Sequence, residues 1–134
     1  MPAGYSGAPL AKKLGFKAGA PLWAKGMPES VQAEIEDTAC PRYLARPGKE
    51  LPAAHLFHTK AAALEADLKK LRTLLAADGM VWVSWPKKAA KVDTDITEDV
   101  IRKVALPMGY VDVKVCAVDA TWSGLKLVIR KALR

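Results

Sequence analysis

The strongest hydrophobic pattern in the chain is a leucine at every third or fourth position through one charged segment. These leucines are Leu64, Leu68, Leu71 and Leu75. The charged residues between them fall on the other faces of a 3.6-residue helix, so the spacing predicts an amphipathic helix. Gly79 follows its last turn, and we expect the helix to end there because glycine adopts the left-handed capping conformation readily.

Weaker signals predict two further helices. Pro28 suits the first turn of a helix, and Val31 and Ile35 lie four residues apart on one face. Asp95 and Glu98 resemble a capping box, and an apolar stripe at helical spacing begins beside them. The members of that stripe are Ile96, Val100, Ile101 and Val104.

An apolar run at residues 80–83 predicts a strand that is covered on both faces. The predicted strand continues through Ser84 to Trp85 and is ended by Pro86. Continuous apolar strands are typical of the centre of a sheet that is flanked by helices. Shorter apolar stretches predict three earlier strands, at residues 20–25, 39–45 and 53–59.

The last part of the chain alternates between apolar and polar residues, at positions 111–117 and again at 125–129. This alternation and the short polar connection at 119–124 predict an antiparallel hairpin. The elements then follow the order β-α-β-β-α-β-α-β-β. Strands joined by helical crossovers form layered sheets. We therefore predict a three-layer α/β sandwich with a mostly parallel sheet and a C-terminal antiparallel β-hairpin.

The length of the chain bounds its organisation. Its 134 residues fit a single α/β domain over residues 1–134. Residues 1–19 lack sustained periodicity and are expected to form an N-terminal arm or lid, in which Tyr5 and Ser6 are candidate contacts to a ligand or a partner subunit. No apolar run has the length of about 20 residues that a membrane span needs. The beginning of the chain carries no apolar signal-peptide core, so we expect a cytoplasmic protein with no membrane partner.

The net charge, the cysteines and the histidines limit which classes of partner the protein could bind. The chain has 21 Lys and Arg against 14 Asp and Glu, which gives a net charge of +7. This excess favours an anionic small molecule or nucleic acid, although the basic residues are dispersed and also fit a solvated surface. Cys40 and Cys116 are interpreted as buried free thiols. His55 and His58 should face opposite sides of a strand, so no metal site is predicted.

Three sequence stretches resemble one small bacterial family. They are GYSG at residues 4–7 with PLAKKLG at 9–15, then WVSWPKK at 82–88, and WSGLKLVIR at 122–130. On these stretches the chain resembles the family known as domain of unknown function 3052, over nearly its whole length. That resemblance implies no particular activity.

The order of elements also resembles a shortened class I methyltransferase, whose Rossmann-like sheet binds S-adenosylmethionine. The resemblance implies a glycine-rich turn after the first strand and an acidic residue after the second. Here the turn reads AKGMP at residues 24–28, so Lys25 and Gly26 are the candidate binding residues. The second strand is followed by Arg46, and no carboxylate occurs in residues 43–46. No cofactor is therefore the first expectation, with S-adenosylmethionine as the alternative.

The segment from Ser84 to Lys88 is the best candidate for a functional loop, since ligands gather beyond the carboxyl ends of strands in α/β sheets. Trp85 could stack on a planar ligand, and Lys87 and Lys88 could bind phosphate or carboxylate. The alternative is a core tryptophan followed by an exposed turn. Trp122 and Ser123, in the hairpin connection, either close the end of the sheet or contact the same ligand.

Three functions fit these observations. The first is a non-catalytic binding or regulatory module on a degenerate methyltransferase-like fold. The second is a small-molecule methyltransferase that depends on S-adenosylmethionine. The third is a nucleic-acid-associated protein, which rests only on the net charge of +7. A homodimer paired through the hairpin edge is a further expectation.

Overall fold

Six strands form one mixed sheet in the computed structural model, which describes residues 8–134. In chain order they are β1 (Pro21–Lys25), β2 (Arg42–Tyr43), β3 (Leu51–Phe57), β4 (Leu75–Pro86), β5 (Tyr110–Ala117) and β6 (Trp122–Ile129). Their spatial order is β2-β1-β3-β4-β6-β5. The first four strands run parallel, whereas β6 pairs antiparallel with both β4 and β5. The predicted mostly parallel sheet with a C-terminal hairpin is confirmed.

Helices cover both faces of this sheet. They are α1 (Leu10–Leu14), α2 (Glu29–Glu36), α3 (Ala61–Arg72) and α4 (Glu98–Ala105). Short 3₁₀ turns lie at Lys88–Ala90, Leu106–Met108 and Lys131–Leu133. The buried side chains of α1 and α2 pack on one face, and those of α3 and α4 pack on the other. The predicted three-layer architecture is confirmed, and α1 is a helix that the predicted order of elements did not contain.

Alternation along the two central strands divides the core in two. On β4, Val81 and Val83 pack toward α3 and α4, whereas Trp82 packs toward α1 and α2. Trp82 is fully buried, and its indole N–H donates to the carbonyl of Leu14 at 2.8 Å. This bond ties α1 to the sheet. Complete burial of an apolar side chain such as Val81 or Val83 stabilises the fold by about 1.5–3 kcal/mol.

The end of the leucine-rich helix differs from the prediction. Helix α3 ends at Arg72, and Leu75 already belongs to β4. Gly79 lies within β4 at an irregularity in its pairing with β3, where a Cβ would stand 2.8 Å from the carbonyl oxygen of Leu51. Gly79 is thus required by the close approach of two strands and not by a helix cap.

The predicted capping box is wrong as well. Thr97, not Asp95, caps α4, since its side chain accepts a hydrogen bond from the backbone N–H of Val100. Asp95 instead accepts from the backbone N–H of Ala61 at 2.7 Å, at the start of α3. The carboxylate therefore satisfies a free N–H of a different helix, which the local spacing cannot indicate.

Replacing Asp95 by alanine is expected to lower the free energy of unfolding by about 1 kcal/mol, because the first turn of α3 loses its acceptor. Urea denaturation with linear extrapolation measures this change. Asp93→Ala is the matched control, since the Asp93 carboxylate is fully exposed and lies 3.8 Å from the ammonium of Lys60. Equal losses in the two variants would contradict the capping role of Asp95.

Smaller differences concern strand lengths and one thiol. The second strand covers only Arg42–Tyr43, and the third runs from Leu51 to Phe57, so both end earlier than predicted. Cys40 is exposed, contrary to the buried thiol expected, and Cys116 is half-buried; both are free. Within residues 8–134 no helix has the length and apolar character needed to cross a membrane.

Candidate functional site

The sheet has its switch point between the carboxyl ends of β1 and β3. The chain leaves β1 through α2 to reach β2 on one side, and then returns to place β3 on the other side of β1. In open α/β sheets ligands bind in the crevice at such a reversal. The residues that follow these two strands, Gly26 and His58, therefore mark the expected site.

Gly26 forms a tight turn at this point. Its φ is +73°, a left-handed conformation that side chains rarely adopt, and a Cβ would stand 2.9 Å from the backbone oxygen of Phe57. The chain then enters α2 after Pro28, whose carbonyl accepts from the N–H groups of Val31 and Gln32. The turn is thus restricted to glycine and brings bare backbone close to the end of β3.

A charged network lies beside this turn. The ammonium of Lys25 lies 3.0 Å from Asp67 Oδ1 and 2.9 Å from Asp67 Oδ2. His58 Nε2 lies 2.7 Å from the same Oδ2. Asp67 is 7% exposed and His58 is 9% exposed. A single buried carboxylate therefore holds groups from the ends of two strands, and the half-exposed Lys25 side chain is paired with Asp67 in this structure.

Asp67 was not among the candidate site residues, although one signal could have identified it. It lies three positions after Leu64 and four before Leu71, on the buried side of α3. An acidic residue at such a position is buried with the leucines, and a buried carboxylate requires a partner. The sequence cannot say which side chains contact it, because Lys25 is 42 positions away.

His55 and Ser84 form a second buried polar pair, on the opposite face of the sheet from the network of Asp67. His55 Nε2 lies 2.7 Å from Ser84 Oγ, and both residues are fully buried. Burial lowers the pKa of His55 to about 3, so the ring is neutral at physiological pH. Ser84 was expected to be the first residue of the functional loop. It lies instead within β4, inside the core.

The rest of the predicted loop lines a cavity. Trp85, Lys87 and Lys88 contribute to a space of about 480 Å³ beside the start of α4. Trp85 is 8% exposed and belongs to the core on the side of α3 and α4. The backbone N–H of Lys87 donates to the carbonyl of Thr121 at 2.7 Å, which fixes the loop to the hairpin connection.

The other predicted site residues lie elsewhere. Trp122 and Ser123 are the first residues of β6 and not part of a loop. The Trp122 ring packs edge-on against Phe57, with centroids 5.1 Å apart, so it closes the end of the sheet on the side of α1 and α2. Tyr5 and Ser6 lie outside the described residues.

Comparisons with known proteins show the fold. No protein-family model and no curated protein sequence matches the chain, so membership of the domain of unknown function 3052 family stays a prediction. Several solved structures of methyltransferases are similar to it. The 1,6-didemethyltoxoflavin-N1-methyltransferase of Burkholderia thailandensis has 13% identity and a TM-score of 0.61, with 91% of this chain and 75% of that chain covered.

Two further structures agree with this likeness. A SAM-dependent methyltransferase from Aquifex aeolicus has 10% identity and a TM-score of 0.60, over 90% of this chain and 87% of that chain. The magnesium protoporphyrin IX methyltransferase of Synechocystis PCC 6803, solved with bound SAM, has 12% identity and a TM-score of 0.57, over 91% and 74% of the two chains. The chain therefore has the Rossmann-like fold of class I methyltransferases.

The residues at the switch point share one feature with the S-adenosyl site expected of this fold and lack another. The turn at Gly26 leaves the backbone accessible at the switch point, as the fold requires of a nucleotide-binding turn. After β2, the residues from Leu44 to Arg46 include no carboxylate that could hold ribose hydroxyls. The residues present therefore offer such a ligand the exposed backbone at Gly26 but no carboxylate after β2.

Proposed function

We propose that the protein binds S-adenosylmethionine at the switch point and transfers its methyl group to a small acceptor. The observation that carries this proposal is the glycine-restricted turn at Gly26, between the carboxyl ends of β1 and β3. The shared fold with methyltransferases supports it, although a fold alone does not fix chemistry. The chain supplies the backbone turn, and the bound ligand would supply the methyl group.

Calorimetric titration with S-adenosylhomocysteine tests the binding step. We expect a dissociation constant of about 10 µM, equivalent to about 7 kcal/mol of binding free energy. Gly26→Ala should weaken binding at least about tenfold, because the added Cβ meets the Phe57 oxygen and displaces the turn.

Gly19→Ala provides a matched control for this substitution. Gly19 has a φ of +75°, nearly the value at Gly26, but no atom lies within 4 Å of the position that a Cβ would take there. It therefore carries the same backbone strain without the clash. If Gly19→Ala weakened binding as much as Gly26→Ala, or if the native chain gave no heat of binding, the proposed site would be wrong.

A second candidate function is a binding module that catalyses no reaction. The residue that ends β1 and the residues that follow β2 favour it. Lys25 places a cation bound to Asp67 beside the turn, and no carboxylate follows β2 in residues 44–46. Incubation with radiolabelled S-adenosylmethionine and a panel of small acceptors separates the two candidates. Binding of S-adenosylhomocysteine without label transfer would favour the module, and label transfer would favour the enzyme.

A further inference from the structure

The cavity beside Trp85 lies apart from the switch point. It is bordered by the end of β4, by the loop after it, and by the start of α4, and it holds about 480 Å³. Thr94 Oγ1 and the backbone N–H of Asp95 both donate to the carbonyl of Thr59, which joins this loop to the end of β3. Cavities of roughly 300–1,000 Å³ are the usual size of small-molecule sites.

Part of the cavity lining is apolar. Trp85 and Ile96 are 8% and 2% exposed, and both line the space. These two side chains offer an apolar surface to a ligand.

The charged residues of the lining differ in their partners. Lys87 and Lys88 line the cavity, and neither ammonium is within an ion pair in the described part of the chain. Glu98 also lines it, and the guanidinium that binds its carboxylate, that of Arg102, is shared with Asp99 and Asp112 outside the lining. The two lysines are therefore the cations of the lining that are available to an anionic ligand.

We propose that this cavity binds a small flat apolar molecule that carries one carboxylate. The ring would lie against Trp85 and Ile96, and the carboxylate would meet Lys87 or Lys88 through charge-assisted hydrogen bonds. The site is independent of the proposed methyl transfer, because its residues lie at the carboxyl end of β4 and beyond it, and not at the turn of Gly26. It holds whether or not S-adenosylhomocysteine binds.

Titration of the full chain with 2-naphthoate, followed by ¹⁵N–¹H correlation spectra, tests this proposal. The indole N–H signal of Trp85, assigned by its loss in Trp85→Phe, is expected to shift on saturation at millimolar concentrations. The neutral analogue 2-naphthamide should bind at least about tenfold more weakly, because it has no charge to pair with the lysines.

Charge removal supplies the matched comparison. Lys87→Gln together with Lys88→Gln should weaken 2-naphthoate binding by about tenfold, whereas Lys69→Gln, on the exposed face of α3, should leave it unchanged. The proposal is overturned if the Trp85 indole signal does not move, if the amide binds as tightly as the carboxylate, or if Lys69→Gln has the same effect as the double variant.

Discussion

Asp67→Ala is expected to lower the free energy of unfolding by about 2–3 kcal/mol, the largest effect of any single charged residue in the network at the switch point. The substitution leaves the buried His58 ring and the ammonium of Lys25 without the carboxylate that both contact. Removing one member of a fully buried ion pair costs about 3–5 kcal/mol. We expect a smaller loss here because the Lys25 side chain is 48% exposed and can be solvated.

Two controls separate this effect from a general loss of charge on α3. Glu65→Gln changes an exposed carboxylate on the same helix and should stay within about 0.5 kcal/mol of the native chain. Lys25→Met should cost less than about 1 kcal/mol, as half-exposed ion pairs usually do. An Asp67→Ala variant as stable as Glu65→Gln, measured by urea denaturation, would show that the network does not hold the two strand ends.

The second large effect is a loss of stability in acid that His55 causes. Its pKa is about 3 in the folded chain because of complete burial, against about 6.5 in an unfolded chain. Between these pKa values the unfolded state binds a proton that the native state does not bind. The free energy of unfolding is therefore highest above about pH 6.5 and decreases as the pH falls toward 3. At pH 4.5 the loss amounts to about 2–3 kcal/mol.

The double substitution His55→Leu with Ser84→Ala isolates this contribution. It removes both partners of the buried pair, which lie 2.7 Å apart, so that neither is left without its hydrogen bond. Its unfolding free energy should depend less on pH between 6.5 and 4.5 than that of the native chain, by nearly the whole of about 2–3 kcal/mol. Identical pH profiles for the two proteins would contradict a neutral, buried His55.

Local patterns in the sequence were sufficient for the order of the elements from β1 onward, but not for α1 or for the contacts between elements. The leucine spacing of α3 and the alternation in β5 and β6 indicate which side of each segment faces the core. The positions on that side recur at a regular period along the chain, so the sequence alone shows them. Asp95 serves a helix 34 positions earlier, and Gly79 is set by the backbone of β3. Such contacts depend on tertiary packing, and the spacing of nearby residues does not indicate which distant residues pack together.

The candidate site shows the same division. Gly26 could be predicted because the fold resemblance places a glycine turn after the first strand. The network of Asp67 could not, because it joins β1, β3 and α3 across 42 positions. Ser84 was predicted at the ligand edge from its place in the sequence. Ser84 instead lies within β4 and is buried against His55 from β3, a contact that the sequence alone does not indicate.

Binding of an S-adenosyl ligand at the switch point between β1 and β3 is tested most directly by nuclear magnetic resonance. The measurement is a ¹⁵N–¹H correlation spectrum of the full chain during titration with S-adenosylhomocysteine. We expect the backbone amides of Gly26 and His58 to shift most, because they follow the two strands that flank the switch point. No shift at millimolar ligand, or shifts confined to the cavity of Trp85, would contradict the proposed binding site.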